Sequence, residues 1–443
     1  MFWRVLHMGI VFLAANTYLL IKVGWPVPLT LLFLVLTLFL CVRPLGVQTL
    51  KSARLRRCQA GCELLYAFLG SLSASVAVRM LLLLDTRMAD RLGLKVGEWL
   101  LDITILTAVE AVVFWVGILR VYLSSTQIGV KWRVIGAVCG WIPVLNLIAL
   151  GRILKLASRE VVFENDKLCH NESRKADAVC ATKYPLLLVH GVFFRDYRYL
   201  NYWGRIPKEL QQNGATLFYG NHQSAAGIRD AGQELAERIR TIVAQTGCDK
   251  VNIIAHSKGG LDARHAISQL GVAPMVASLT TVSTPHRGCL FADFLLSKIP
   301  ESQLASLAKT YNAALRKLGD SHPDFLSAVR DLTASACDVF NRENPDPEGV
   351  CLQSVGSCMR KPSGGRFPLS LTNRFVHLFD GENDGLVGRE SFRWGQRYRH
   401  LSVAGNRGIS HGDVIDLNRE NLPDFDVREF YVELVQDLRQ MGM

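Results

Sequence analysis

Long hydrophobic runs dominate the first third of the chain, and charged residues lie mainly at the ends of these runs. Five runs approach the roughly 20 residues that a helix needs to cross a bilayer, and they cover residues 5–23, 27–43, 62–84, 100–123 and 133–154. A soluble helical domain would show a polar stripe through runs of this length. The pattern therefore predicts an all-helical transmembrane region over residues 1–160, with about five spans.

One acidic residue, Glu110, lies well inside the fourth run. An ionisable side chain at that depth in a membrane is costly, and such residues usually face the interior of a helix bundle or pair with another group. A position facing the interior would make Glu110 a functional candidate. A pairing or purely structural role explains it equally well, so the sequence leaves its role open.

Lysine and arginine residues in short loops indicate how such a region is oriented. The loop over residues 43–57 is basic and carries no acid, so we expect it to be cytoplasmic. Five spans then place the rest of the chain outside the cytoplasm. Arg152, Lys155 and Arg159 near the end of the fifth run oppose this orientation. A re-entrant fifth run, which contains Pro143, would instead leave the rest of the chain cytoplasmic. The expectation is an integral protein of the cell membrane with an extracytoplasmic C-terminal part.

After the apolar runs, residues 161–182 are mostly polar and lack apolar periodicity, which predicts a linker. The remaining residues, 183–443, are ample for one domain. Here short apolar runs alternate with segments of helical spacing, and this alternation predicts an α/β domain with a mostly parallel sheet. The predicted strands are LLLV, ATLFYG, KVNIIAH, VASLTTV, RFVHLF and RHLSVAG.

The interval over residues 291–345 interrupts this alternation. It contains an amphipathic segment with apolar residues at helical spacing. One interpretation is a helix that packs on the core. The other is a mobile lid over an active site, whose apolar face turns towards lipid when it opens.

Composition agrees with one membrane part and one globular part. The chain has 443 residues, of which 49% are hydrophobic, and its mean hydropathy is +0.18. The net charge of +11 does not indicate nucleic-acid binding, because the basic residues form no single long tract. Eleven cysteines without a CxxC pair argue against a zinc ribbon. One disulfide, such as Cys351 to Cys358, is compatible with the sequence.

The segment AHSKG, residues 255–259, places a serine between a predicted strand and a predicted helix. In a nucleophile elbow, the residues two before and two after the serine must be small, because strand and helix backbones nearly touch there. Gly259 meets this requirement, and Ala255 replaces the usual glycine with one added methyl group. An ordinary strand–turn–helix with a solvated Ser257 is the alternative.

A serine nucleophile needs a base, and the base needs an orienting acid; in this type of fold the chain order is serine, acid, histidine. Asp384 lies in a glycine-punctuated turn, and His411 lies in a loop after the following strand. Both positions suit these roles. The other acids and histidines that compete for these roles are Asp380, Glu382, His190, His256, His265, His286 and His400.

Several separated motifs in the same order carry a resemblance: YPLLLVHGVFF, VNIIAHSKGGLDARHA, TTVSTPHRGCLFADFL, GENDGLV and SHGDVIDLNREN. Together they resemble the bacterial triacylglycerol lipases of the α/β-hydrolase superfamily over most of residues 184–435. The resemblance implies Ser257 as nucleophile, Asp384 as acid and His411 as base.

The resemblance also implies an oxyanion hole made by the backbone N–H groups of Val192 and Lys258. The N–H directly after the nucleophile is the general expectation for this fold, so the second donor is also supported independently of the family. A helical lid near residues 291–345 is implied as well. The lipid ester substrate and the bilayer are the expected partners, and no redox cofactor is implied.

Related lipases often hold a structural calcium ion, and Asp413 matches one of the two aspartates that bind it. The stretch over residues 358–372 has no acid to match the second. A calcium ion with one carboxylate ligand binds weakly, and the alternative is that Asp413 forms hydrogen bonds to the loop that carries the histidine.

The function expected from the sequence is a membrane-anchored serine hydrolase that cleaves carboxylic esters of lipids. The alternatives are a phospholipase, a short-chain carboxylesterase or an acyltransferase. A different kind of alternative is an inactive hydrolase fold that serves the membrane part as a binding module.

Overall fold

The computed structural model describes residues 2–142, 144–192, 201–317 and 320–443. The chain divides into two compact units, Met1–Glu172 and Ser173–Met443, which we call the N-terminal and C-terminal units. The boundary between them falls inside the segment 161–182 that was predicted to be a linker.

The N-terminal unit is helical throughout its described elements. The eight helices are α1 Phe2–Ala15, α2 Thr17–Lys22, α3 Val27–Val42, α4 Ala53–Leu84, α5 Thr86–Arg91, α6 Val96–Ser124, α7 Gly129–Cys139 and α8 Leu145–Ser173. Several breaks coincide with residues that stop or start helices: Pro26 precedes α3, and Pro44 and Gly46 follow it. Proline has no backbone N–H to donate, and glycine readily adopts the left-handed conformations that end helices.

Two of these helices, α4 and α6, are long and apolar enough to cross a membrane by length and composition, and α1 and α3 are shorter apolar helices. The run 133–154, expected to be one span, is not a single helix. It is divided between α7, which ends at Cys139, and α8, which begins at Leu145. Gly140 and Pro143 lie in this interval of the sequence and disfavour a continuous helix.

The predicted linker is also partly helical, because α8 continues to Ser173. Its buried residues include Ala157, Glu160, Val161 and Lys167, so one face of the helix packs although its composition is polar. Tertiary contacts of this kind override weak local patterning.

The C-terminal unit is built on a sheet of six parallel strands in the order β2-β1-β3-β4-β5-β6. The strands are β1 Leu186–Val189, β2 Leu217–Tyr219, β3 Val251–His256, β4 Val276–Val282, β5 Cys351–Ser357 and β6 Arg397–Leu401. The helices around and between them are α9 Ile206–Gln212, α10 Ile228–Thr246, α11 Lys258–Gln269, α12 Leu290–Lys298, α13 Glu301–Lys317, α14 Phe325–Arg330, α15 Ala334–Glu343, α16 Leu369–Asp380 and α17 Val427–Gln440.

Both faces of the central strands are covered by helices. Leu188 of β1 belongs to the hydrophobic cluster that contains Tyr431 of α17. Its neighbour Val189 belongs to the opposite cluster, which contains Ile239 of α10. Neighbouring side chains of a strand point to opposite faces, so a sheet buried on both faces has continuous apolar strands. The predicted α/β class with a mostly parallel sheet is confirmed.

One predicted strand is wrong. The segment RFVHLF lies within the helix α16, which buries Asn373 and Val376, three residues apart. A run of six residues, four of them apolar, does not distinguish a strand from a helix by periodicity alone.

The strand β5 was not predicted, because its sequence CLQSVGS is polar in part. Two of its buried polar side chains are paired: Gln353 Nε2 donates to Thr280 Oγ1 at 2.7 Å, and Ser354 Oγ donates to the carbonyl of Trp394 at 2.7 Å. All eleven cysteines, each of which lies in the described ranges, are free. Cys351 begins β5 and Cys358 follows its end, and an extended strand of this length holds them too far apart for a disulfide.

The interval between β4 and β5 contains the four helices α12 to α15. The described residues of the predicted lid interval 291–345 are therefore largely helical.

Candidate active site

The serine of the AHSKG segment lies on a strained turn. The strand β3 ends at His256, α11 begins at Lys258, and Ser257 between them has φ 55° and ψ −132°. A non-glycine residue in such a region typically costs about 1–3 kcal/mol, so the surroundings must hold it there. The N–H of Ser257 donates to the carbonyl of Val282 at 2.9 Å, and its carbonyl accepts from Thr284 Oγ1 at 2.8 Å.

The small residues around the turn have a steric reason. A Cβ atom on Gly259 would lie 2.3 Å from the carbonyl oxygen of His190, and one on Gly191 would lie 2.8 Å from Cβ of Ser257. Ala255 is fully buried in the hydrophobic cluster beneath the sheet, where its methyl group is accommodated. The departure from the usual glycine at this position is therefore tolerated.

Asp384 and His411, separated in the sequence, form a buried pair. Nδ1 of His411 lies 2.7 Å from Oδ2 of Asp384. The other carboxylate oxygen accepts the N–H groups of Leu386 at 3.1 Å and Val387 at 2.9 Å, and the N–H of His411 donates to the carbonyl of Asp384 at 2.8 Å. These contacts fix both loops and leave Nε2 of the imidazole as the ring nitrogen available for proton transfer.

The end of β3, next to Ser257, contacts this pair. The ring of His256, the neighbour of Ser257 in the chain, is 4.6 Å from the ring of His411 between centroids. In the described ranges no hydrogen bond joins Oγ of Ser257 to His411. Such contacts are often long before substrate binds and tighten in the reacting complex.

The rival residues that the sequence left open have other partners. Asp380 accepts from the N–H groups of Leu290 at 2.9 Å and Phe291 at 3.1 Å, and thus caps α12. Glu382 pairs with Arg389. Four of the five histidine rivals bind elsewhere: His190 to the carbonyls of Gly191 and His222, His265 to Asn344, His286 to Thr281, and His400 to Tyr398.

Of the two predicted oxyanion donors, Lys258 directly follows Ser257, and Val192 follows Gly191, where an added Cβ would lie 2.8 Å from Cβ of Ser257. Lys258 begins α11, so its N–H is one of the helix N–H groups without an intrahelical acceptor, and it donates to no protein group among the described residues. The N–H of Val192, the residue after Gly191, likewise donates to no protein group among the described residues. Residues 193–200, which follow Val192 in the sequence, lie outside the described residues.

His256 was not predicted to matter beyond being a rival. It is buried, and its Nδ1 lies 2.6 Å from the hydroxyl oxygen of Tyr202. Burial, and then the nearby His411, hold the pKa of His256 well below its ordinary value. The imidazole that contacts the ring of His411 is therefore neutral, and it adds no positive charge beside His411.

A buried ion pair below the elbow was also missed. The side chain of Lys258 is buried, and its Nζ donates to Oδ1 of Asp262 at 2.5 Å. The other carboxylate oxygen of Asp262 lies 3.6 Å from Nε2 of His222. The spacing of four residues on a helix was a usable signal, since side chains at i and i+4 lie on one face.

Asp413 does not have the surroundings of a calcium ligand. Its Oδ2 accepts from Arg407 Nη1 at 2.7 Å and from the N–H and hydroxyl of Ser410, both at 2.8 Å. A guanidinium group occupies the place that a cation would need. Among the described residues, no group of three or more His, Cys, Asp or Glu side chains could hold a metal ion. The structure thus agrees with the alternative in which Asp413 binds the histidine loop.

The fold and the site define the class of the protein. A parallel sheet that presents a serine on a strained strand-to-helix turn, beside an aspartate–histidine pair, is the α/β-hydrolase fold with the layout of a serine hydrolase.

Comparison with known proteins then shows the family. Residues 210–317 match the family described as "Putative serine esterase (DUF676)". A triacylglycerol lipase from Pseudomonas fragi is 30% identical over 296 residues, which cover 59% of this chain and 98% of that relative. The chain belongs to the triacylglycerol lipase family of serine ester hydrolases.

Other similar proteins overlap only in part. A triacylglycerol lipase from Pseudarthrobacter phenanthrenivorans is 35% identical over 196 residues, which cover 41% of this chain and 60% of the relative. The chain therefore spans about 60% of the length of that protein. The crystal structure of Staphylococcus hyicus lipase superimposes with a TM-score of 0.45 at 16% identity, and covers 59% of this chain and 97% of its own.

Proposed function

We propose that the protein is a membrane-anchored serine hydrolase that cleaves carboxylic ester bonds of lipids. The observation that carries this proposal is Ser257 on its strained turn beside the buried pair of Asp384 and His411, whose ring and carboxylate atoms lie 2.7 Å apart.

In the proposed mechanism, Oγ of Ser257 attacks the ester carbonyl carbon while Nε2 of His411 takes the hydroxyl proton. The negative charge that develops on the carbonyl oxygen is stabilised by the N–H groups of Val192 and Lys258. The histidine then gives its proton to the leaving alcohol, and an acyl-enzyme remains.

Water completes the cycle. His411 takes a proton from water, the resulting hydroxide attacks the acyl carbon, and Ser257 leaves with the proton as the fatty acid is released. Asp384 accepts a hydrogen bond from Nδ1 throughout, which orients the ring and stabilises its protonated form.

A lipid substrate is supported by an apolar surface near the acid loop, which we call the α12–α16 surface. Its exposed side chains are Leu290, Phe294, Leu295, Leu371, Phe375 and Leu378. Ring contacts join the two helices, with Phe291 and Phe375 stacked at 6.0 Å and Phe294 and Phe379 at 4.7 Å. A contiguous exposed apolar surface of this kind marks a site that contacts lipid or protein.

This surface is linked directly to the catalytic loop. Sγ of Cys289, the residue before α12, donates to the carbonyl of Leu386 at 3.5 Å, and Leu386 follows Asp384 by two residues. We infer that the described helices of the interval 291–345 act as a lid whose contact with lipid and whose movement change access to Ser257.

Anchoring in the membrane is supported by the length and apolar composition of α4 and α6. We propose that the C-terminal unit is extracytoplasmic, following the basic loop over residues 43–57. A protease added to intact cells should then reach the C-terminal unit, and protection of that unit would reverse the assignment.

Labelling with a fluorophosphonate tests the proposed chemistry. The wild-type chain should form a covalent adduct at Ser257, and the Ser257→Ala variant should form none. If a folded wild-type chain formed no adduct, the result would favour the alternative in which the hydrolase fold is inactive and serves as a binding module. A panel of triacylglycerols, phospholipids and short-chain esters, with and without an acceptor alcohol, then identifies the substrate class and separates hydrolysis from acyl transfer.

A further inference from the structure

A cavity of about 370 Å³ lies inside the N-terminal unit, between α4, α6, α7 and α8. Its lining is mainly aromatic and aliphatic and includes Phe68, Leu106, Phe114, Trp115, Leu150 and Ile153. Cavities of this size, apolar with a few polar groups, are typical of binding sites for small ligands.

One carboxylate is found among the described lining residues, and it belongs to Glu110. The residue is 3% exposed. One of its oxygens, Oε1, accepts from Ser71 Oγ at 2.5 Å, and the other, Oε2, is buried and has no hydrogen-bond partner among the described residues. A buried acceptor without a donor is costly. The unpaired Oε2 at an apolar cavity therefore points to a ligand that brings its own donor.

The depth of Glu110 restricts the chemistry of that donor. Glu110 lies at the middle of α6, Val96–Ser124, and the middle of a membrane-spanning helix lies near the centre of the bilayer. A charged ligand group is expensive at that depth, whereas a hydroxyl group carries a donor without a net charge.

The cavity also reaches the outer surface of the unit. Two of its lining residues, Trp115 and Leu147, are 60% and 52% exposed. In a bilayer such a surface faces the hydrocarbon tails, so a lipid chain can enter the cavity from the side.

We propose that the N-terminal unit binds an uncharged lipid with a free hydroxyl group, such as a long-chain alcohol or a diacylglycerol. The hydroxyl donates to Oε2 of Glu110, and the aliphatic chain lies along the aromatic lining. This inference rests on the proposed placement of α4 and α6 in the membrane. It does not rest on the hydrolase activity.

The test uses the full chain in lipid nanodiscs with a photoreactive octadecanol that carries a diazirine in its chain. Mass spectrometry should find adducts on peptides of the four helices around the cavity. A tenfold excess of octadecanol should reduce these adducts at least fivefold, whereas octadecyl methyl ether, which has no donor, should leave them nearly unchanged. Dioleoylglycerol is a third competitor, and the stronger of the two hydroxyl lipids identifies the source of the ligand.

Two variants of the cavity sharpen this test. Glu110→Gln keeps the size of the side chain but adds N–H donors, so the ether should now compete about as well as the alcohol. Ala111→Phe should fill part of the cavity and remove most of the adducts. Glu98→Gln, at the start of α6 and outside the cavity, is the matched control and should behave as the wild type.

Equal competition by alcohol and ether at the wild-type chain would overturn the proposal, as would adducts that lie outside the four helices. Absence of fluorophosphonate labelling at Ser257 would instead count against the hydrolase proposal alone. If the full chain did not insert into nanodiscs, the placement of α4 and α6 in the membrane, and with it this proposal, would be wrong.

Discussion

The contact between Asp384 and His411 is the residue-scale feature on which the proposed catalysis depends most directly. The carboxylate is fully buried, and two backbone N–H groups occupy its second oxygen. An uncharged amide in its place would keep the shape but would no longer stabilise a protonated His411, and it would allow the wrong tautomer.

The Asp384→Asn variant should therefore lose about 10³- to 10⁴-fold in kcat towards any ester that the wild type cleaves. Steady-state kinetics checks this, with thermal unfolding to show that the variant is folded. The neighbouring Asp380→Asn variant is the control, because Asp380 caps α12 and does not contact His411. Similar losses in both variants would argue against a special role for Asp384.

Histidines buried in the C-terminal unit make its stability depend on pH. Burial, and then the positive charge of Arg264, hold the pKa of His286 well below its ordinary value. In the unfolded chain a histidine binds a proton below about pH 6.5. The unfolded state then binds more protons than the folded state, so the contribution of His286 is complete above about pH 6.5 and is lost as the pH falls.

The free energy of unfolding of the wild type should consequently fall below pH 6.5, with a slope of up to about 1.4 kcal/mol per pH unit for each such histidine. The slope should be smaller in His286→Gln and unchanged in His322→Gln, whose side chain is exposed. Chemical denaturation at a series of pH values measures it. An unchanged slope in His286→Gln would contradict the assignment.

At the scale of elements, the α12–α16 surface is the feature through which we propose that the active site meets lipid. Helix α16 buries Asn373 and Val376 against its own unit and exposes Leu371, Phe375 and Leu378. In water, this exposed apolar face contributes no stabilising free energy. Contact with a lipid surface would remove the face from water and stabilise the bound state.

The double variant Phe375→Ser, Leu378→Ser should lower activity on emulsified triacylglycerol at least fivefold. It should leave the hydrolysis of a short ester in solution within about twofold of the wild type, because neither side chain touches Ser257, Asp384 or His411 in the described contacts. Val339→Ser, at an exposed apolar residue of α15, is the matched control. Equal losses on both substrates would indicate a folding defect rather than lost lipid contact.

At the scale of the whole molecule, we propose that the two units have different solvents, because their exposed surfaces differ. The N-terminal unit exposes large apolar side chains such as Leu84, Leu123 and Trp141, while the C-terminal unit has a core covered on both faces of its sheet. The boundary at Glu172 and Ser173 falls in a polar stretch of sequence.

Cleavage at a specific protease site inserted after Ser173 should allow the membrane attachment of each unit to be measured separately. After cleavage of isolated membranes and an alkaline carbonate wash, the N-terminal fragment should stay in the pellet. The C-terminal fragment should leave it and retain fluorophosphonate labelling at Ser257. Release of both fragments would contradict a membrane-spanning N-terminal unit, and loss of labelling would show that the hydrolase fold needs its neighbour.

The amino-acid sequence by itself determined the features that depend on local order. The strands LLLV, KVNIIAH and VASLTTV are continuous apolar segments, and only a sheet buried on both faces suits them. The elbow depends on the order of small residues around Ser257, and the resemblance depends on motifs in a fixed order. For these features neighbours in the chain are also neighbours in space.

The tertiary structure decided what depends on distant contacts. It placed Asp384, rather than Asp380 or Glu382, against His411, because three acids within five residues look alike until a loop folds over them. It made RFVHLF helical and β5 a strand, since packing outweighed weak local preference. It also paired Asp413 with Arg407, and among the described residues it left Oε2 of Glu110 without a hydrogen-bond partner. The spacing of residues along the chain does not specify how a loop closes or which side chains from other helices surround a carboxylate.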